Sequence, residues 1–252
     1  MALAKKVLWI VNMNSQTAET AFSKHALAIG ATTVCIRTSS TLFPGTIKRF
    51  HDLGMKVYAW RWPPANQSGA MKEAGTVATK LIPAGLDGYI VDPESDKAGA
   101  SNDWNQAQLA PLAAQFCAKI KGAAPPSFVF GTTSGCSYPA PNGKPDIPWQ
   151  QFFSASDVLL PQTYWRWTND KGKVENINGG TPAKAIAKGV PAWKAKSLGK
   201  PIVAMAGEVD VVTATEIAAY GTQLQTMGVT EGHFYTDNGK IPVPNLAAMK
   251  AL

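Results

Sequence analysis

Cysteine and histidine are both scarce in this chain, which has 252 residues and contains three of each. The cysteines, Cys35, Cys117 and Cys136, are an odd number in distant segments and form no C-x-x-C pair, so no disulfide framework is expected and a reducing site of synthesis is favoured. The histidines show neither H-x-x-x-H nor H-E-x-x-H spacing, so the sequence predicts no zinc site. We expect neither a metal nor a cofactor.

Several motifs and long apolar runs are also missing. There is no Walker A loop and no G-x-G-x-x-G after a strand, which argues against nucleotide binding. A serine or cysteine hydrolase would need a histidine beside its nucleophile, and only His233 falls on a predicted strand. No stretch approaches the roughly 20 apolar residues that span a bilayer, so no membrane insertion is expected. The apolar run Val7–Val11 is too short for a signal peptide, which predicts synthesis in the cytoplasm and, if the protein reaches a cell wall, release by another route.

Charged residues make up only 16% of the chain and hydrophobic residues 45%, so a core of ordinary size is available. The net charge of +7 favours an anionic partner such as nucleic acid, a membrane surface or a bacterial cell wall. However, the basic residues are spread along the chain, and their densest stretch, Lys184–Lys200, is typical of a solvated helix face. We therefore predict no nucleic-acid partner.

Short β-branched or aromatic runs alternate eight times with longer helical patterns. Strands are predicted at Val7–Met13, Thr33–Thr38, Lys56–Trp62, Gly88–Glu94, Ser127–Thr132, Val158–Tyr164, Pro201–Glu208 and Gly232–Asp237. Helices are predicted at Thr17–Ile29, Pro44–Leu53, Ser68–Ile82, Trp104–Lys121, Pro148–Ala155, Pro182–Lys196, Ala214–Met227 and Leu246–Leu252. Eight such units predict a single-domain (β/α)8 TIM barrel over residues 1–252, with a doubly wound open sheet as the alternative.

Glycines and long connections agree with this repeat. Several predicted helices end just before a glycine, where a left-handed cap needs a residue without a Cβ, namely Gly30, Gly54, Gly85, Gly199 and Gly228. Three connections, 95–103, 133–147 and 166–181, are longer than average, and each follows a predicted strand. They therefore belong to the face on which barrel enzymes carry their active sites.

The segment Asp87–Glu94 is predicted to be a strand that ends in two carboxylates. Because side chains two residues apart share a face of a strand, Asp92 and Glu94 should both point into the barrel, with Glu94 nearest the mouth. Burying two carboxylates together raises the pKa of one of them, as a general acid that works near neutral pH requires. The alternative is a surface acid that caps the next helix.

This segment resembles the D-G-x-D-x-D-x-E strand of the family 18 glycoside hydrolases, the chitinase family. Asp87, Gly88, Asp92 and Glu94 are in place, and Ile90 stands at the first inward acid of the pattern. The resemblance implies that Glu94 protonates the glycosidic oxygen. It also implies that Asp92 orients the N-acetyl group of the substrate, which is itself the nucleophile in that family.

The shorter D-x-E piece is also similar to that of the family 25 lysozymes, barrel muramidases found among bacteriophage endolysins, in which the glutamate is again the acid. Those enzymes generally carry an aspartate at the end of the first strand, where this chain has Asn12 and Asn14.

The end of the sixth predicted strand, Gln162-Thr163-Tyr164-Trp165, supports the first resemblance. Gln162 and Tyr164 share a face and look like the M-x-Y-D/N strand end of family 18, with Trp165 at the Asp or Asn position. The resemblance implies that Tyr164 hydrogen-bonds the acetamido carbonyl of the substrate, and a buried structural tyrosine is the alternative. We predict that Gln162 and Trp165 also bind substrate.

The seventh predicted strand ends in Glu208, which places a third carboxylate at the mouth. In barrel glycosidases that form a covalent intermediate, the acid and the nucleophile end strands four and seven, roughly 5 Å apart. Glu208 is therefore a candidate catalytic residue. Binding a substrate hydroxyl and capping the next helix are equal alternatives.

The ends of the other strands are rich in aromatic and polar side chains. Strand two ends in Arg37, strand three in Trp60 and Trp62, and strand eight in Asp237. Aromatic rings stack on the apolar faces of sugars, and polar side chains bind their hydroxyls. We therefore predict that these four residues bind a polysaccharide.

These patterns predict a glycoside hydrolase that cleaves an amino-sugar polymer by acid-assisted hydrolysis. Peptidoglycan is favoured over chitin by the positive charge and the lack of a signal peptide, as for an endolysin-type lysozyme. A chitinase-like hydrolase is one alternative. A barrel that binds carbohydrate without cutting it is a second, favoured by Ile90 and Trp165. A barrel enzyme acting on phosphorylated metabolites is a third, but the chain offers only poor phosphate-binding candidates after strands seven and eight.

Overall fold

The computed structural model describes residues 2–40, 43, 45–95 and 97–252. Its strands are β1 (Lys5–Ile10), β2 (Thr33–Arg37), β3 (Lys56–Arg61), β4 (Gly88–Val91), β5 (Val129–Gly135), β6 (Val158–Gln162), β7 (Arg166–Thr168), β8 (Val174–Asn176), β9 (Met205–Ala206) and β10 (Glu231–Asp237). Eight of them pair in parallel in the order β6-β5-β4-β3-β2-β1-β10-β9, while β7 and β8 form a separate antiparallel hairpin. A bridge between Leu159 of β6 and Ile202, ahead of β9, joins the two edges. The predicted barrel is confirmed, and the open sheet is wrong.

The helices of the described residues are α1 (Gln16–Ile29), α2 (Gly45–Asp52), α3 (Gln67–Thr76), α4 (Ala110–Lys121), α5 (Trp149–Ala155), α6 (Pro182–Lys194), α7 (Ala214–Thr226) and α8 (Val243–Ala251). A π-helical turn, Val77–Leu81, extends α3, and a 3-10 turn, Ala107–Leu109, precedes α4. Each predicted helix is found within a few residues of its expected bounds, except that α4 begins at Ala110 and not at Trp104. The predicted first residue of α2, Pro44, lies outside the described residues.

The five glycines predicted to end helices all have positive φ angles. At Gly30 the φ is 67°, and its N–H donates to the carbonyls of Ala26 and Leu27 at the end of α1. A side chain at this φ would be strained, so glycine allows the chain to leave the helix and enter the next strand.

Side chains of alternating parity divide the core into two layers. Side chains on one face of each strand pack against the helices. Those on the other face fill the inside of the barrel, and they are Val7, Trp9, Cys35, Tyr58, Trp60, Ile90, Val158, Leu160, Val203 and Met205. Glycine leaves space for two of these side chains. A Cβ on Gly88 would lie 2.7 Å from the ring of Tyr58, and one on Gly131 would lie 2.7 Å from Cδ1 of Ile90.

Two elements differ from the prediction, and β4 and β6 end before the residues expected to close them, so Asp92, Glu94 and Tyr164 follow their strands. Pro201–Glu208 was expected to be one strand, but only Met205–Ala206 forms a ladder there. The β7–β8 hairpin falls within 166–181, a segment expected to be an irregular connection.

Three further features concern the class of protein. No helix in the described part of the chain combines the length and the apolar character needed to cross a bilayer. Residues 2–40, 43, 45–95 and 97–252 contain no cluster of three or more side chains suited to a metal ion. Cys35, Cys117 and Cys136 are buried free thiols.

Candidate active site

A cleft of about 270 Å³ opens where the barrel strands end. Its lining in the described residues consists of Trp9, Val11, Arg37, Trp60, Trp62, Asp92, Glu94, Gln162, Tyr164, Trp167 and Tyr235. A second cavity of about 410 Å³ shares Glu94, Gln162, Tyr164 and Trp167 with this cleft and continues past Cys136 to Lys188. Glu94 therefore stands where the two cavities meet.

The acid segment directly follows β4, and hydrogen bonds from two other segments of the chain hold its backbone. The Ser134 hydroxyl on β5 donates to the carbonyl oxygen of Pro93 at 2.7 Å. The backbone N–H of Trp104 donates to the carbonyl oxygen of Glu94 at 2.9 Å. These bonds restrain the chain between the two carboxylates, and a restrained backbone limits where the side chains can point.

Asp92 is the deeper of the two acids, at 6% exposed, whereas Glu94 is half-buried. Nε2 of Gln162, at the end of β6, donates to Oδ1 of Asp92 at 3.0 Å. This bond joins two predicted site residues across the barrel and fixes the orientation of the Asp92 carboxylate.

Aromatic rings form most of the wall around the acids. Tyr164 stacks on Tyr235 with ring centroids 5.2 Å apart and on Trp167 with centroids 6.4 Å apart. Trp9 lies against Trp60 with a centroid separation of 5.6 Å. Flat apolar rings beside carboxylates are the surfaces on which sugar rings stack.

The two stacked tyrosines keep their hydroxyl protons near neutral pH. Burial raises the pKa of Tyr164 well above its usual value, and the nearby Tyr235, Asp92 and Glu94 add to this rise. The pKa of Tyr235 is raised by burial and then by Asp92, Glu208 and Glu94. Both hydroxyls are therefore available as hydrogen-bond donors beside the acids.

Arg37 extends from the end of β2 over the ring of Trp60, with 5.7 Å between the guanidinium carbon and the ring centroid. Its Nε atom is buried and has no hydrogen-bond partner among the described residues. Burial and the nearby Arg61 lower the pKa of Arg37, whereas Tyr235 and Asp92 raise it.

Trp9 is held by a chain of polar contacts inside the barrel. Its Nε1 donates to Nδ1 of His233 at 3.0 Å, so His233 keeps its proton on Nε2, which donates to Glu231 at 2.7 Å. Lys5 completes the chain with an ion pair to Glu231 at 2.8 Å and a hydrogen bond to the Tyr58 hydroxyl at 3.2 Å.

Glu208 lies beside the cleft but not in its described lining. Its Oε2 accepts hydrogen bonds from the backbone N–H of Thr168 at 2.7 Å and from the Thr168 hydroxyl at 2.6 Å, which ties the β7–β8 hairpin to the barrel. Burial raises the pKa of Glu208; the bonds from Thr168 oppose this rise, and the charge of Asp210 adds to it. The backbone of Glu208 has a φ of 42°.

The structure brings seven of the predicted site residues together in the cleft, namely Arg37, Trp60, Trp62, Asp92, Glu94, Gln162 and Tyr164. It does not bring Trp165 there, because Trp165 is fully buried and packs on Tyr220 with ring centroids 5.9 Å apart. Asp237 ends β10, but its side chain lies outside the described part of the structure.

Three aromatic cleft residues, Trp9, Trp167 and Tyr235, were not among the predicted site residues. Trp9 and Tyr235 have the parity of the inward side chains of β1 and β10, so alternation along those strands contained the signal. Trp167 reaches the cleft from the hairpin, for which no strand pattern was recognised.

The sequence matches no protein-family model and no curated protein. The fold is nevertheless similar to solved structures. The spore cortex-lytic enzyme SleL of Bacillus cereus has a TM-score of 0.69 at 10% identity, covering 98% of this chain and 74% of that one. The catalytic domain of a chitinase from Pyrococcus furiosus has a TM-score of 0.67 at 11% identity, covering 100% of this chain and 95% of the other.

A third neighbour is a family 18 N-acetylglucosaminidase from Paenibacillus barengoltzii, with a TM-score of 0.64 at 9% identity and coverage of 98% of this chain and 99% of that one. At such low identity the likeness establishes architecture. This chain thus has the (β/α)8 barrel fold that these glycoside hydrolases share.

Proposed function

We propose that this protein is a glycoside hydrolase that cleaves an amino-sugar polymer, with peptidoglycan ahead of chitin. The observation that supports this most is the pairing of Asp92 and Glu94 in an aromatic cleft at the mouth of a barrel. Two carboxyl groups beside the scissile bond are the arrangement that most glycosidases use, one of them as the proton donor and the other as the charge-stabilising group.

In the proposed reaction, Glu94 donates its proton to the glycosidic oxygen as the bond to the anomeric carbon breaks, so the leaving sugar departs as an alcohol. The acetamido carbonyl oxygen of the substrate attacks the anomeric carbon and forms a cyclic intermediate. Water then attacks the anomeric carbon and opens the ring that the acetamido group had closed. A proton of this water returns to the Glu94 carboxylate.

Asp92 and Tyr164 would serve the acetamido group in this scheme. The Asp92 carboxylate, oriented by Gln162, accepts the acetamido N–H and stabilises the positive charge that develops on the ring. The Tyr164 hydroxyl donates to the acetamido oxygen. The carboxylate of Glu208 already accepts two hydrogen bonds from Thr168, so we assign nucleophilic attack to the substrate and not to Glu208.

The choice of substrate rests on charge and on the structural neighbours. Those neighbours include a spore cortex-lytic enzyme as well as chitinases, so the fold accommodates both kinds of polymer. The net charge of +7 favours adsorption to an anionic wall over adsorption to neutral chitin.

The Glu94→Gln variant tests the proposal. We expect it to fold normally and to lose about 10²- to 10⁴-fold of the turnover, because an amide cannot protonate the leaving oxygen. The measurement is the release of reducing ends from purified peptidoglycan and from chitin, together with the clearing of a wall suspension. Glu175→Gln, which makes the same chemical change on the exposed strand β8, is the matched control and should keep full activity. Wild-type turnover by Glu94→Gln would end the assignment.

A second candidate is a barrel that binds wall carbohydrate without cutting it. Ile90 favours it, because this fully buried side chain occupies the first inward acid position of the family 18 pattern. Saturable binding of wild-type protein to wall material with no release of reducing ends would select this function.

A further inference from the structure

Arg37 is the only cationic side chain in the described lining of the 270 Å³ cleft. It lies on the Trp60 side of the cleft, at the end of β2. The cleft therefore contains two carboxylates near its centre and a guanidinium on one flank.

Two other arginines of the chain have carboxylate partners. Arg49 pairs with the buried Glu19, and Arg166 pairs with Glu216 at 2.8 Å. In Arg37, by contrast, the buried Nε lacks any hydrogen-bond partner within the described residues. A buried donor without an acceptor destabilises the protein unless something else supplies the acceptor, and guanidinium groups match the geometry of planar carboxylates.

The charged and titratable groups around Arg37 come from three strand ends. Asp92 follows β4 and faces it from the cleft, Arg61 ends β3 beside it, and Tyr235 lies on β10. Gln162 already donates to Asp92, so this carboxylate has another donor than Arg37. Because Nε is buried, an occupant of the cleft that Arg37 lines would bind the terminal amino groups of the guanidinium.

We propose that Arg37 is a specificity-determining residue that binds the carboxylate of an acidic amino sugar, such as the free lactyl carboxylate of N-acetylmuramic acid in glycan that carries no stem peptide. The inference rests on the proposed function, because it names the substrate class of the same cleft. The sugar occupies the cleft beside Trp60, and its acidic substituent reaches the guanidinium that lies over that ring. A neutral chitin sugar has no group to fill this position.

The test compares two ligands that differ only in charge. The first is the disaccharide N-acetylglucosaminyl-N-acetylmuramic acid, and the second is the same disaccharide with its lactyl carboxylate converted to an amide. Calorimetry with the wild-type protein should show a preference of about tenfold or more for the acid. The Arg37→Met variant should bind the acid about 10- to 100-fold more weakly and the amide within about threefold of wild type.

Two further variants serve as controls. Arg37→Lys keeps the charge but loses the planar fork, so its preference for the acid should be intermediate. Arg61→Met removes one positive charge from the neighbouring strand end outside the cleft lining, and it should keep the wild-type preference. Circular dichroism verifies folding, and Arg37→Gln replaces Arg37→Met if the latter misfolds.

Equal binding of acid and amide by the wild type, an equal loss of both in Arg37→Met, or no binding of either ligand would each overturn the inference. Failure of the proposed function has a different signature. A protein that prefers the acid through Arg37 but releases no reducing ends from peptidoglycan would be a carbohydrate-binding barrel whose specificity Arg37 sets.

Discussion

Gln162, Ser134 and Trp104 place the two acids although none of them has acid–base chemistry of its own. Gln162 orients the carboxylate of Asp92, and the other two bind the backbone carbonyls of Pro93 and Glu94. Because each bond comes from a different part of the chain, the acid pair depends on the closed barrel and not on its own short segment.

Glu208 gives the sharpest prediction at the scale of single residues. We expect Glu208→Ala to raise KM by about tenfold and to lower kcat by less than tenfold, because the change releases the hairpin that carries Trp167. Steady-state kinetics on glycan oligomers long enough to occupy both cavities would measure both constants. Thr168→Val removes only the hydroxyl donor and should shift KM in the same direction by less. A fall in kcat of about 10⁴-fold or more would instead identify Glu208 as a covalent nucleophile.

Parity along strands explains which site residues the sequence could reveal. Alternation predicted that Asp92 points inward and that Gln162 and Tyr164 share a face, and all three line the cleft. Trp165 has the opposite parity to Tyr164 and accordingly faces the core beside Tyr220, so alternation argued against its predicted role. The contacts of Glu208 with Thr168 join residues 40 positions apart, and no local pattern encodes such a pairing.

The turn after β9 determines the position of the aromatic wall. A Cβ on Gly207 would lie 2.1 Å from the ring of Tyr164, so the ring occupies space that only glycine leaves open. The face-to-face stack of Tyr164 on Tyr235 depends on this close approach.

Gly207→Ala should therefore displace Tyr164 and lower kcat/KM by about tenfold or more, with little change in far-ultraviolet circular dichroism. The near-ultraviolet spectrum should change as the tyrosine stack is lost. Gly75→Ala is the control, since a Cβ there meets nothing within 4 Å on helix α3. Unchanged kinetics and an unchanged aromatic spectrum in Gly207→Ala would contradict this account of the turn.

Elements with strong hydrophobic patterns were predicted well, and those held by tertiary contacts were not. The first six barrel strands and all eight helices have buried faces. In the sequence, apolar residues recur along these elements at the spacing of a strand or a helix, and this spacing reveals them. In β7 and β8, each three residues long, all side chains are exposed or half-buried, so no apolar alternation marks them. Most of the seventh predicted strand, Pro201–Glu208, forms no ladder with a neighbouring strand. Whether a segment forms a strand depends on such pairing, and the composition of the segment does not reveal it.

At the scale of the whole molecule, the series of polar contacts that joins Lys5, Glu231, His233 and Trp9 predicts that the protein loses stability in acid. Burial lowers the pKa of His233, although Glu231 opposes this, so the unfolded chain takes up a proton near the ordinary value of 6.5 before the folded one does. Burial alone would raise the pKa of Glu231, but His233 and Lys5 hold it at about 2, below its ordinary 4.5. Both shifts make the unfolded state bind more protons in acid.

The melting temperature of the wild type should therefore fall as pH drops below about 6.5 and fall further between about 4.5 and 2. Glu231→Gln should be less stable at neutral pH, because Lys5 loses its partner, and its melting temperature should vary less over the lower range. Differential scanning calorimetry across this range gives both curves. Parallel curves for the two proteins would contradict this assignment of acid sensitivity.

The overall architecture was predictable because the repeat extends along the whole sequence. The polar contacts of Lys5, Glu231 and His233 inside the barrel were not predictable. Lys5 and Glu231 begin β1 and β10, which are distant in sequence and adjacent only because the barrel closes there. Barrel closure was expected from the repeat, but the register that pairs these two residues depends on packing across the whole ring.

The position of Glu94 at the junction of two cavities decides how long a useful substrate has to be. A glycan under attack must place one sugar on either flank of the proton donor, since the bond to be broken lies between them. A disaccharide held in the Arg37 flank alone leaves the opposite flank vacant. Binding measurements with short fragments would then give the affinity of the Arg37 flank. Turnover would have to be measured with longer oligomers, because only they place a sugar on either side of Glu94.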